Sequence, residues 1–163
     1  MVIKTILAAS VLAASAALMP GNAVAGSASA QEINAQRFNE LVAVVFNRGD
    51  IGAAEQFFHT SLIEHAPWPG HSADVAGFKA GLAELRKSFP DLHMTVERTI
   101  AQGDLVVAHM TMSGSQLGEF MGSPASGKTV SIEVIDIVRM TDGRIAEHWG
   151  VMDAAGMAGQ LGL

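Results

Sequence analysis

The chain has 163 residues, with 10 basic against 16 acidic side chains and no cysteine. A net charge of −6 disfavours nucleic acid and anionic membrane as partners. The missing cysteines exclude a disulfide framework, a thiolate nucleophile and a lipid-modified cysteine.

In chain order, the first thirty residues read as a segment apart. Lys4 gives a positive start, Thr5 to Met19 form an uncharged, alanine-rich apolar run, and Pro20-Gly21 break it. Ala28-Ser29-Ala30 then places small residues at the two positions a signal peptidase reads, with a cut after Ala25 as the nearest alternative. The run is shorter than the roughly 20 apolar residues that span a bilayer. These features predict a signal peptide over 1–30 and a single exported domain over 31–163, periplasmic or secreted, with no membrane attachment after cleavage. Only Lys4 is lost in the cut, which leaves nine basic against sixteen acidic groups, a net −7.

Asn34 to Arg48 set Phe38, Leu41, Val42, Val45 and Phe46 at helical spacing before Gly49. Ile51 to Phe58 read as a second, shorter helix. Leu62 to His65 read as extended, running into the loop Ala66-Pro67-Trp68-Pro69-Gly70. Ser72 is placed to cap a third helix with the stripe Val75, Phe78, Leu82, Leu85 and Phe89, ended by Pro90. Four strands follow: His93–Ala101, Leu105–Ser113, Thr129–Met140 and Arg144–Met152, with a glycine-rich loop after the second and a short tail helix at the end. Helices followed by an antiparallel meander predict an α+β fold with the helices on one face of the sheet.

Several short motifs stand in register along the second half. They are Phe89-Pro90-Asp91-Leu92, Gly103-Asp104-Leu105-Val106, Gly118-Glu119-Phe120-Met121-Gly122, Arg139 with Asp142-Gly143-Arg144-Ile145, Glu147-His148-Trp149, Asp153, and Gly159-Gln160-Leu161-Gly162. Together they resemble the SnoaL-like polyketide and ester cyclases of the NTF2-like superfamily. The resemblance implies a cone-shaped barrel: a strongly bent antiparallel sheet, three helices over its mouth and an apolar cavity inside. It also implies homodimers packed sheet to sheet, a hydrophobic small-molecule ligand, and ring closure by an acidic side chain without metal or organic cofactor.

The residues themselves single out Asp136 and His148 as the catalytic candidates. If Thr141-Asp142-Gly143 forms a three-residue turn, Met140 pairs with Arg144 and Asp136 with His148, their Cβ atoms about 4.5–5.5 Å apart. A two-residue turn would shift the register by one and send the pair to opposite faces. Their face also carries Ile132, Val134, Val138 and Gly150. Desolvation there pushes a carboxylate toward its neutral form while an imidazolium pulls it back, so the pair can hold a proton near neutral pH. The alternative is that the two simply satisfy each other in the core.

By the resemblance, the acid of the characterised cyclases falls at Gly150, which cannot transfer a proton, while Asp136 stands in place of a pocket histidine and Val134 in place of a glutamine. His65 matches, within one residue, a pocket asparagine and is a candidate donor to a ligand carbonyl. Trp68, Met121, Val134 and Gly150 complete the expected substrate-binding set, and Asp153 is expected to cap the tail helix. The histidines show no spacing of metal ligands, so no metal site is expected. Two functions stay open: proton abstraction next to a carbonyl, leading to cyclisation or isomerisation, or non-catalytic binding of an apolar ligand.

Overall fold

The computed structural model describes residues 28–163; most of the expected signal peptide, residues 1–27, lies outside them. The first helix, α1, spans Ala30–Leu41 and continues as a π-helical turn over Val42–Asn47. It starts four residues before the periodicity predicts, because Ser29 closes a capping box with Glu32. A short 3-10 helix over Ile51–Gln56 leads into β1, Phe58–Glu64. Strand β1 thus begins four residues earlier than expected and takes Phe58 from the helix assigned to it.

The next helix, α2, covers Val75–Ser88. Its cap is Asp74, which accepts a hydrogen bond from the Gly77 N–H, while Ser72 donates to the Asp74 carboxylate. Ser72 therefore supports the cap from two residues away instead of providing it. Phe78, Leu82, Leu85 and Phe89 are buried as the stripe requires, while Val75 is half-buried.

Strands β2 (His93–Gln102), β3 (Leu105–Ser115), β4 (Thr129–Thr141) and β5 (Arg144–Met152) form the meander, and α3 (Ala154–Leu161) closes the chain. Asp153 caps α3 through the Gly156 N–H. The sheet order is β1-β5-β4-β3-β2. Neighbours from β5 to β2 are antiparallel, but β1 joins the edge of β5 in parallel. The sheet is therefore mixed. The helical half of the chain supplies its outermost strand, which puts Glu64 directly beside His148.

The β4–β5 turn corrects the expected register. Thr141 pairs with Arg144, and Asp142 and Gly143 both have positive φ, 49° and 71°, so the loop has two residues. Asp-Gly suits that mirror-image turn because both central positions must be left-handed. Met140 then pairs with Ile145, but Arg139 pairs with Glu147, leaving Ala146 as a β-bulge. The bulge adds one residue to β5 and restores parity. Ile145 and His148 both point inward although one is odd-numbered and the other even. Asp136 therefore opposes Gly150, not His148, yet shares the inner face with both.

Alternate residues of β3 and β4 (Val106, Ala108, Met110, Met112; Val130, Ile132, Val134, Val138) pack inward against Phe38, Leu41, Val45 and Leu82. The outer face keeps Ile63, Ile135 and Val151 at 55%, 45% and 72% exposure. No helix among the described residues is long and apolar enough to cross a membrane.

Candidate active site

The bent sheet and the helices enclose a cavity of about 1000 Å³. Its wall is largely apolar, with Phe38, Phe46, Phe58, Phe78, Met94 and Met112 among the lining side chains. Trp68, Met121, Val134, Asp136, His148 and Gly150 all line it as well. Trp68 packs directly on Gly81 of α2, where any Cβ would overlap the indole. Met121 sits at the tip of the loop between β3 and β4, 80% exposed, with φ of 50° beside Gly122 at 79°. The base of that loop is tied down. Gln116, 1% exposed, donates to the carbonyls of Gly118, Ser123 and Pro124, while Ser88 accepts through its carbonyl from the Leu117 and Gly118 N–H groups.

His65 is not part of this wall. It stacks on Trp149 at 4.8 Å between ring centroids and meets Glu147 through Nε2 at 2.9 Å. Glu147 also binds Arg139, which reaches Asp104. This ladder lies on the outer side of the sheet. The residue that faces inward from the end of β1 is the preceding one, Glu64, because adjacent strand residues point to opposite faces.

Glu64, His148 and Asp136 thus come from three neighbouring strands, β1, β5 and β4. Both Glu64 carboxylate oxygens lie 2.8 Å from His148 Nδ1, and Asp136 Oδ1 lies 3.4 Å from Nε2. The side chains are only 5%, 18% and 16% exposed, respectively. Burial works against a charge on His148, but its contacts with Asp136 and Glu64 and their negative charges outweigh it and push the imidazole up to about 9. His148 is therefore an imidazolium at neutral pH. It is a poor base there, so proton acceptance falls to a carboxylate. Gly150 leaves the space beside the pair open: a Cβ at that position would lie 3.1 Å from Asp136 Oδ1 and 3.1 Å from His148 Cε1. No group of three or more metal-ligating side chains is suitably arranged among the described residues.

The charge on His148 has a consequence for folding. Its folded-state pKa is raised from 6.5 to about 9. The stabilisation is complete below about pH 6.5 and is lost as pH rises through about 9, because the folded chain holds the proton longer than the unfolded one. The loss is of the order of 3 kcal/mol. Urea unfolding at about pH 6 and about pH 9.5 should show the parent markedly weaker at the higher pH. An equal or higher midpoint at alkaline pH would contradict the charged triad.

Residues 35–161 match the family described as SnoaL-like polyketide cyclase. The chain belongs to that family. It is 28% identical over 124 residues to an aklanonic acid methyl ester cyclase from Streptomyces peucetius, covering 72% of this chain and 83% of the relative. Among solved structures, TsrD from Streptomyces laurentii superposes with a TM-score of 0.70 at 33% identity, over 78% of this chain and 92% of its own. IdmH, a putative polyketide cyclase from Streptomyces antibioticus, gives 0.71 at 28% identity, over 80% and 99%. The fold is the NTF2-like α+β cone shared by these SnoaL-like proteins.

Proposed function

We propose that this chain is a cofactor-independent enzyme that abstracts a proton next to a carbonyl of an apolar small molecule, leading to cyclisation or isomerisation, with Asp136 as the base. One observation carries the reading. The resemblance puts the family's acid at position 150, and here the Asp136 carboxylate lies 3.1 Å from where a side chain at that position would begin. The acid has moved to the facing strand and still reaches the same part of the cavity. His148 supports it as the adjoining cation, and an apolar wall strengthens that electrostatic contact.

The competing reading, an exported binder of an apolar ligand, draws on the glycine at position 150 and on the breadth of the apolar wall. Deuterium exchange at the acidic carbon of a 2-alkyl β-keto ester separates the two. An enzyme accelerates exchange above the buffer rate, and a binder leaves it there.

Export is part of the proposal, with the cut moved. Cleavage after Ala30 would remove Ser29, the cap of α1, and leave a positive amino terminus at the helix start. Cleavage after Ala25 keeps the capping box, so the mature chain is expected to begin at Gly26. The exposed Ile63, Ile135 and Val151 suit a homodimer packed sheet to sheet. Native mass spectrometry of protein from outside the cytoplasm reads both the terminus and the copy number. A chain that still carries Met1 would end the export proposal, and a monomer the dimer.

A further inference from the structure

Glu64 is a nearly buried carboxylate to which the acid–base reading gives no task. It is in parallel register with His148, places both oxygens 2.8 Å from Nδ1, and has one of them fixed by the Ala66 N–H at 2.8 Å. The contact on the other side of the ring is longer: Nε2 lies 3.4 Å from Asp136. The imidazolium is held firmly from the edge strand and loosely on the side of the proposed base. We propose that Glu64 is a positioning residue that fixes His148 as the hydrogen-bond donor to the enolate oxygen formed when Asp136 takes the substrate's proton.

The step balances within the site and rests on the acid–base reading above. The C–H bond next to the carbonyl breaks and its proton goes to the Asp136 carboxylate. The electron pair forms the carbon–carbon double bond, and the carbonyl oxygen takes up the negative charge. Two carboxylates and one imidazolium carry a net −1 before the step. After it Asp136 is neutral and the enolate holds the charge, so the total is unchanged. A neutral Asp136 is a weaker partner for Nε2–H, which becomes free to donate to the enolate oxygen, where a preorganised cation in a water-poor cavity is most effective. Glu64 keeps Nδ1 protonated throughout and so decides which ring nitrogen faces the substrate. His65 cannot be this donor, because it lies on the outer face, stacked on Trp149.

The charged groups around His148 are Glu64 from β1 and Asp136 from β4. Lys87, Glu84 and Glu119 line the same cavity from α2 and the loop that follows β3, and His71 is engaged by Glu84 at 3.1 Å. None of these four makes an ion pair or hydrogen bond with His148 among the described residues.

Glu64→Gln keeps the shape and can still accept a bond from Nδ1, but removes the charge. Imidazole NMR should show the His148 titration midpoint falling well below that of the parent. Exchange of the 2-alkyl β-keto ester should drop roughly 10- to 100-fold in kcat, with KM little changed and a new loss of rate on the alkaline side of the lowered midpoint. Unaltered titration, or an unaltered rate and pH profile, overturns the role of Glu64. Should Glu64→Gln fail to fold, Asp136→Asn answers the same question, because Glu64 alone should keep His148 titrating above the ordinary histidine range. An ordinary midpoint there overturns the inference. If the parent shows no exchange, the acid–base reading falls and takes this inference with it. If parent exchange depends on Asp136 but not on Glu64, only the inference falls.

Discussion

Leu82→Asp is expected to leave the chain largely unfolded at room temperature. Leu82 has no exposed surface, sits in the middle of the α2 stripe between Phe78 and Leu85, and is not part of the cavity wall. An aspartate there would start from a fully buried position that does not open onto the cavity. The substitution loses about 1.5–3 kcal/mol of leucine burial and adds several more for an unpaired buried carboxylate, against a typical total of about 5–15. Helix α2 also carries Gly81, which seats Trp68, and Ser88, which anchors the loop bearing Met121. Losing α2 therefore dismantles the mouth of the cavity along with the core. Circular dichroism should show no cooperative melt for Leu82→Asp, while Leu82→Met, of similar volume, should melt close to the parent. A parent-like melt for the aspartate would mean that this face of α2 is not packed.

The α2 stripe was legible because five apolar positions at helical spacing have only one way to be buried together. Strands β4 and β5 were legible for a related reason, since a long period-2 pattern fixes which residues share a face. What spacing could not give was the detail of their junction. Asp142-Gly143 alone fits a two-residue turn, and by itself that turn would have separated Asp136 from His148. The bulge at Ala146, which reunites them, has no local sequence mark, because alanine is tolerated in either geometry.

Glu64 was hidden differently. Its neighbour His65 carries the more conspicuous side chain, and the choice between adjacent strand residues depends on which face the strand buries. Alternation from the buried Leu62 would have put Glu64 inside and His65 outside. The pairing that makes Glu64 matter joins positions 84 residues apart, through a parallel edge contact that an expected antiparallel sheet does not contain.

Asp136→Asn should reduce catalysed exchange by roughly 10²–10⁴ while leaving the fold in place. The amide has the size of the carboxylate and can still approach His148 Nε2, which lies 3.4 Å away in the parent. His148 keeps Glu64 at 2.8 Å, so no buried cation is stranded. What disappears is the carboxylate that faces Gly150 across the β4–β5 pair, the proposed acceptor of the proton from carbon. Gly150→Asp then tests whether position or strand matters. In the parent background it crowds a second carboxylate against Asp136, whose Oδ1 is 3.1 Å from the new Cβ, and neighbouring like charges repel. In the Asp136→Asn background the repulsion is gone, and the new acid projects from β5 into the same part of the cavity. Partial recovery of exchange is expected in that double variant, limited by the few tenths of an ångström its neighbours must yield. Exchange that survives Asp136→Asn at the parent rate would remove Asp136 as the base. Exchange lost in the single variant and not recovered in the double one would mean that the acid must stand on β4, beside Nε2, and not merely near it.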